Sequence, residues 1–425
     1  MQLFALLSRS APPMPSLREA SGGRDAPAQE SSPEFVTAMS PPAGDRRTGI
    51  AYLGCGYVAD FYQQTFANHR DELVLRGVWD VSAERLARFV HLHGLSAYAD
   101  FDALLADPGV EIVVNLTNPR HHYDTTKRCL LAGKHVYSEK PLALALAQAE
   151  ELTALAQAAG LQLVCAPSSV LGDAARTMWT AVRERRLGAP RLVYAEIDEG
   201  MIHRLGFEDW ISPSGAPWPA EDELRTGCTL EHAGYMLSWL VAMFGPVERV
   251  VSVAALCIED KGPKTPAEYR TPDFSCALLS FGEGVIARLT NSVVAPHDHQ
   301  LRIFCDEGEL RAREVWDFNT PVHAIPLAAT RTQRRLKKWL NFSRTWRLNG
   351  RRDRRIAFAK TAHPMNFALG IADMARAIRA GRAARLGGVF ALHITEVTLA
   401  IQYPDVYGTE YVPKSRPAAF SPLVP

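Results

Sequence analysis

An α/β fold with a doubly wound parallel sheet in its first half is predicted by three observations. A glycine turn follows the first apolar run, and apolar runs then alternate with helical stretches from residue 48 to 166. The runs are also near-continuously apolar, the pattern of strands covered on both faces by helices.

The first run, Thr48-Gly49-Ile50-Ala51-Tyr52-Leu53, leads into Gly54-Cys55-Gly56-Tyr57-Val58-Ala59 and a helical stretch through Phe66. This is the strand, turn and helix of a Rossmann unit. The first glycine makes the turn, the second lets the backbone approach a pyrophosphate, and amides at the helix N-terminus face its charge. Gly54, Gly56, Tyr57 and Val58 are therefore candidate cofactor contacts. The second run, Leu73 to Trp79, ends in Asp80, 24 residues after Gly56 and near the spacing of about 20 for a ribose-binding acid. A carboxylate there accepts from ribose hydroxyls and repels a 2'-phosphate, so NAD is expected, with NADP as the alternative. Asp80 could instead cap the helix beginning at Ser82-Ala83-Glu84.

Further along come a strand over Glu111 to Leu116, a helix over His122 to Ala132 and a strand His135-Val136-Tyr137-Ser138. A helix over Ala145 to Ala159 and a strand at Leu161 to Val164 complete a nucleotide domain spanning 48–166. Glu139-Lys140-Pro141 ends the fourth strand. Ligands of such sheets bind beyond the carboxyl ends of the strands, which makes Lys140 a candidate for polarising a reacting oxygen.

Length and composition set the bounds. With 425 residues, the chain predicts roughly two domains at about 100 to 200 residues each. A net charge of +1 gives no global preference for nucleic acid. The seven cysteines are scattered without Cys-x-x-Cys spacing, which excludes a disulfide framework or a structural zinc site as the organising feature and suits a reducing cytoplasm. No apolar run approaches the roughly 18 residues of a membrane span. Residues 1–47 lack periodicity and read as a disordered extension.

The motifs of the first half resemble the Gfo/Idh/MocA family: Gly54 to Ala59, Asp80, Thr117-Asn118-Pro119 with His122, Ala132-Gly133-Lys134-His135-Val136, and Glu139-Lys140-Pro141-Leu142, in the family's order and spacing. The resemblance implies that Thr117, Asn118, His122, Glu139 and Lys140 flank the cofactor. It also implies that residues 167–425 form a substrate-binding α+β domain on a large, mostly antiparallel sheet. Strand-like runs at Arg191 to Glu196, Val250 to Cys257, Ser275 to Phe281, Val285 to Thr290 and His299 to Cys305 fit that sheet, and Pro364 to Gly381 reads as a late amphipathic helix. Homo-oligomers are common in the family, so a homo-oligomer is implied as well.

One departure bears on chemistry. Many members carry Asp-x-Gly-x-His-x-x-Asp where this chain has Glu231-His232-Ala233-Gly234-Tyr235-Met236-Leu237-Ser238, so Tyr235 stands in the position of the proton-accepting His. Tyr here resembles the glucose-fructose oxidoreductase and dimeric dihydrodiol dehydrogenase branches, which implies a proton-carrying role. A phenol of pKa about 10 could fill it if Lys140 lowered that value. Glu231, four residues away on the same helix face, and His232, three away, are the candidates to tune or replace it. After Val164-Cys165-Ala166-Pro167, Ser168-Ser169-Val170 replaces the Arg or aromatic of many relatives, so no substrate transfers by analogy.

Residues 331–360 hold 12 basic residues against one acid. They read as a solvated excursion or subunit arm, with peripheral membrane contact as the less favoured alternative. The expected activity is NAD(P)-dependent hydride transfer to or from a carbinol of a sugar, cyclitol or nucleotide sugar. Lys140 serves as electrophile and Tyr235, His232 and Glu231 as proton handlers, with no metal required. A non-catalytic NAD(P)- and sugar-binding regulator of the same fold is the rival.

Overall fold

A computed structural model describes residues 46–421 apart from 263–264, 266–268, 329–331, 333–334, 336–344 and 350–363. The expected disordered extension and most of the basic segment lie outside the described residues. All seven cysteines are unpaired. No helix among the described residues is long and apolar enough to cross a membrane.

Five parallel strands form the first sheet: β1 (Thr48–Leu53), β2 (Leu73–Trp79), β3 (Ile112–Asn115), β4 (His135–Ser138) and β5 (Leu163–Cys165), in the order β2-β1-β3-β4-β5. Helices α1 (Ala59–Phe66), α2 (Ala83–His93), α3 (Phe101–Ala106), α4 (His122–Leu131) and α5 (Leu146–Ala158) connect or cover them. Ile50 to Leu53 and Ile112 to Val114 are fully buried, which is why these strands read as unbroken apolar runs. The strand order reverses between β1 and β3, and a crevice opens beyond their carboxyl ends. Gly54 turns there at φ 105°, and a Cβ at that position would lie 2.7 Å from the Leu116 carbonyl oxygen. Only glycine fits.

The second sheet has nine strands: β6 (Pro190–Asp198), β7 (Arg249–Ala255), β8 (Phe274–Ser280), β9 (Ile286–Ser292), β10 (Leu301–Cys305), β11 (Gly308–Ala312), β12 (Val322–Pro326), β13 (Trp346–Arg347) and β14 (Glu410–Tyr411). Their order is β13-β12-β11-β10-β6-β9-β8-β7-β14, and every pairing except β6 with β9 is antiparallel. Along β8, Ala277 and Leu279 are buried while Leu278 is half exposed, the alternation of a sheet covered on one side. Helices α6 (Asp173–Arg183), α7 (Ala220–Thr226) and α8 (Cys228–Phe244) follow β5 and β6, and α8 is buried along nearly its whole length.

The chain then returns toward the first sheet through α9 (Leu369–Arg379) and α10 (Val389–Gln402), and α11 (Pro404–Tyr407) leads on to β14 at the edge of the second. The late helix expected over 364–381 is α9. Arg376 binds Glu72 through both carboxylate oxygens at 2.5 and 2.6 Å, and Arg379 reaches Thr48 at 3.1 Å. Gly370 lies so close to β4 that a Cβ would meet the Tyr137 hydroxyl at 2.5 Å and the Ser168 side chain at 2.9 Å. Neither neighbour can retreat from this core, so Gly370→Ala is expected to destabilise the protein by about 1 to 3 kcal/mol through overpacking. A urea unfolding midpoint indistinguishable from the unmodified protein would refute this account of the contact.

Candidate active site

A cleft of about 690 Å³ lies between the carboxyl ends of the parallel strands and helices α7 and α8. All the candidate residues line it: Gly54, Gly56, Tyr57, Val58, Asp80, Thr117, Asn118, His122, Glu139 and Lys140 from the first half, and Glu231, His232 and Tyr235 from α8. Its volume falls within the roughly 300 to 1,000 Å³ of small-molecule sites.

The glycine turn fits a pyrophosphate. A Cβ on Gly56 would project into open space, leaving the backbone bare toward the cleft. Asp80 lies beside it, accepting from the Cys55 amide at 2.7 Å and the Ser82 amide at 2.7 Å. The side chain that caps α2 is that of Ser82, which accepts from the Arg85 amide at 3.3 Å. Arg85 also chelates Asp80, at 2.9 and 2.6 Å. An arginine thus stands against Asp80 although none follows it directly in sequence, because one turn of α2 brings it back. Trp79 stacks on Phe101 with ring centres 5.5 Å apart, and the Arg128 guanidinium covers Phe101 at 4.3 Å, making a flat apolar wall at this end.

Two of the candidates, His122 and Glu139, act as struts, and Asn115 holds a third, Thr117. His122 is fully buried, with its ring nitrogens 2.7 Å from the Pro141 carbonyl and 2.8 Å from the Thr117 carbonyl, so it joins the loop after β3 to the turn after β4. Asn115 Oδ1 accepts from the Thr117 hydroxyl at 2.7 Å and shapes the same loop. Glu139 accepts from the Tyr62 hydroxyl at 2.6 Å and from the Lys140 amide at 3.0 Å, which fixes the backbone that aims Lys140.

Lys140 enters the cleft and pairs with Glu231, while Glu223 of α7 lies 4.0 Å from its ammonium. Burial disfavours the ammonium, yet Glu231 and Glu223 outweigh it and hold its pKa well above the ordinary value. Glu231 goes the other way: burial and the neighbouring Glu223 raise it well above the carboxylate range against the pull of Lys140. The pair therefore offers one firmly held cation and one reluctant anion. Tyr235 departs from expectation. Its phenol is raised, because burial outweighs the lowering effect of Lys140. Its ring packs against Trp316 at 4.7 Å.

Sequence reasoning missed what stands behind α8. His232 Nδ1 lies 2.9 Å from Glu199, and its Nε2 lies 3.8 Å from Glu223. Glu199, at the end of β6, also meets His299 Nε2 at 3.2 Å, and His299 Nδ1 contacts Glu314 at 2.9 Å. No motif spacing links these positions; the sheet brings them together. The segment between β6 and α7 was missed as well. Its Ser214 donates to the buried Asp60 of α1 from amide and hydroxyl at 3.1 and 2.7 Å, and it carries Trp210 and Trp218 over the cleft. Asp222 of α7 crosses the mouth to Asn118 and, at 3.3 Å, to Arg120.

Residues 48–166 match the profile described as an oxidoreductase family with an NAD-binding Rossmann fold, and residues 175–311 match the C-terminal domain of the same Gfo/Idh/MocA group. The chain belongs to the Gfo/Idh/MocA oxidoreductase family. Its first unit is accordingly an NAD(P)-binding Rossmann fold. A trans-1,2-dihydrobenzene-1,2-diol dehydrogenase from Macaca fascicularis is 29% identical over 173 residues, 40% of this chain and 51% of that protein, so the match spans about half the relative's length. Among solved structures, an NAD binding oxidoreductase from Klebsiella pneumoniae aligns with a TM-score of 0.70 at 20% identity, over 86% of this chain and 99% of the other. The WlbA dehydrogenase from Bordetella pertussis, solved with NADH and UDP-GlcNAcA, aligns at 0.65 and 18% identity over 87% and 99%. At these identities the shared property is the fold.

The Lys140–Glu231 pair can be tested as a buried ion pair. Lys140→Met removes the cation that opposes burial at Glu231 and is expected to lower stability by about 3 kcal/mol once Glu231 is ionised, whereas Lys140→Met with Glu231→Gln recovers most of it. The Glu231 carboxyl already titrates above its unfolded value, and loss of Lys140 raises it further. The penalty in the single variant should therefore shrink as pH falls through the carboxylate range and grow as it rises. Equal urea midpoints for single and double variants would contradict the pairing.

Proposed function

We propose that this protein is an NAD(P)-dependent dehydrogenase or reductase that transfers hydride between the nicotinamide and a carbinol or ketone of a sugar, cyclitol or nucleotide sugar. The observation that carries the reading is the buried ammonium of Lys140 at the end of β4, in the same cleft as the open backbone of Gly56 and the carboxylate of Asp80. NAD, when bound, exchanges hydride at C4 of its nicotinamide. Lys140 donates a hydrogen bond to the reacting oxygen and stabilises the negative charge that develops as its proton leaves.

Proton handling divides between Tyr235 and His232. The raised phenol makes Tyr235 a reluctant base but a serviceable donor to an oxyanion, while His232, set against Glu199, can accept a proton from the cleft. Trp210, Trp218 and Trp316 give flat apolar faces for a sugar ring, and Arg120 at the mouth suits a diphosphate or carboxylate group. The diol dehydrogenase similar to this chain and the WlbA dehydrogenase solved with a nucleotide sugar agree with a hydroxylated ring as substrate. NAD is favoured by Asp80, with Arg85 as the feature that would admit NADP.

The test is a turnover screen with UDP-N-acetylglucosamine, myo-inositol and D-xylose against NAD and NADP. Lys140→Met should bind NAD with little change and lose about 10²- to 10³-fold in kcat, the effect of deleting one charge-stabilising donor. An unchanged kcat would remove Lys140 from the chemistry. NAD binding without turnover on any of these compounds would instead favour a regulatory protein. His232→Gln and Tyr235→Phe should each lower kcat, and a kcat unaltered by either variant would move proton transfer to water.

Separately, NAD should bind more tightly than NADP, and Asp80→Asn should narrow the difference by reducing repulsion of the 2'-phosphate. Isothermal titration with both nucleotides measures this directly, and a wild-type preference for NADP would reverse the assignment of Asp80 and Arg85.

A further inference from the structure

Two histidines and a glutamate converge just outside the cleft. His297 and His299 flank Asp298, whose amide and carbonyl both bond to the backbone of Asp198, at 2.9 and 2.8 Å, so the chain is extended there and the two imidazoles face the same side. Their ring centres are 4.1 Å apart. A parallel bridge between residues 299 and 314 brings Glu314 alongside, and its carboxylate meets both rings: Oε1 lies 2.9 Å from His299 Nδ1, and Oε2 lies 3.1 Å from His297 Nε2. One donor atom from each residue falls within 4.8 Å of the other two. None of the three residues lines the cleft.

We propose that His297, His299 and Glu314 form a binding site for a divalent first-row transition ion, zinc foremost, held by His297 Nε2, His299 Nδ1 and a carboxylate oxygen with water completing the shell. The site stands apart from the hydride-transfer reading. Bonds of about 2.0 to 2.1 Å meeting at right angles put neighbouring donors about 2.9 Å apart, and at tetrahedral angles about 3.4 Å. Both nitrogen-to-carboxylate distances already lie in that range, so an ion needs only the two rings to close toward each other. Two imidazoles with one carboxylate suit zinc and its neighbours, whereas magnesium and calcium favour all-oxygen shells.

The surroundings supply what such ligands need. Glu199 Oε1 stands 3.2 Å from His299 Nε2, which favours a proton on that nitrogen and leaves the Nδ1 lone pair for an ion. The Trp316 amide donates to Glu314 Oε1 at 3.0 Å and orients the carboxylate. An entry path exists as well, because His299 is buried but the side chains of His297 and Glu314 are each about a quarter exposed. The spot already draws positive charge. Burial would lower the pKa of His299, yet Glu199 and Glu314 push it up to about 9, and a bound ion takes the place of the proton held there. Bound in this way, the ion ties the start of β10 to the segment after β11 that carries Trp316, one wall of the cleft.

The alternative is that the three side chains only hydrogen-bond one another, and titration separates the two. Full-length protein stripped with a chelator and titrated calorimetrically with zinc chloride should show one saturable site and a raised thermal unfolding midpoint, and magnesium chloride should give neither. Loss of even an outer partner of a metal ligand costs about 10- to 100-fold in affinity, so His297→Gln and Glu314→Gln should each weaken zinc binding at least tenfold. Both positions are partly exposed, and the unfolding midpoint without zinc reports whether each variant has folded; should one fail, the other decides. X-ray absorption at the zinc edge should show nitrogen and oxygen at about 2.0 to 2.1 Å and no sulfur at about 2.3 Å. Absence of saturable zinc binding, equal binding of magnesium, unchanged affinity in a folded variant, or a sulfur shell from the cysteines would each overturn the site.

Discussion

The buried ammonium of Lys140 is the constraint on which the architecture turns. It sits at the carboxyl end of a parallel strand, 17% exposed, and needs anionic partners that the first sheet does not supply. Glu231 and Glu223 come from the two helices that follow the long segment after β6, so the charge requirement of one unit is met by the other. Replacing such a pair with apolar side chains would cost little or even stabilise the protein. Its presence in the cleft is thus what the proposed chemistry asks for and adds little to cohesion. Around it the supports are local and rigid: Glu139 and Tyr62 set the backbone of Lys140, and His122 ties its turn to the loop after β3.

Much of the first unit was legible because its constraints are local. Gly54 is required by a carbonyl 2.7 Å from where its Cβ would be, Asp80 by a strand end, and Lys140 by a strand end in a defined order of elements. The antiparallel character of the second sheet was visible only through resemblance, and β11 to β14 were not recognised at all. Two of them, β13 and β14, are two residues long, below the length at which alternation can be read. Helix α10 was overlooked because it is apolar nearly all round, buried between α5, α8 and β7, and so lacks the one-sided stripe that marks a surface helix.

The illegible part of the cleft has one physical origin. Glu199, His299, Glu314 and Trp316 are brought together by β-pairing between segments about a hundred residues apart, and no spacing rule connects a strand end to a helix across that distance. His232 alone, read as one histidine on an apolar helix, gave no sign of a carboxylate partner. The condition set for Tyr235, a phenol lowered by Lys140, is not met for a related reason: proximity to Lys140 can be inferred from the helix, but burial cannot, and burial dominates.

The first turn of α8 has no side-chain cap of its own, and Gln402 closes it from the end of α10, accepting from the Leu230 amide at 2.9 Å and donating to the Thr226 carbonyl at 2.8 Å. A Cβ on Gly227 would collide with that glutamine, so the fit is mutual. Glu231 is the next residue along. During synthesis, the parallel sheet and α8 emerge some 170 residues before the side chain that seals the turn carrying Glu231. A ribosome-bound chain can therefore present the parallel sheet while the turn carrying Glu231 still lacks the side chain that closes it, which arrives only with the last long helix.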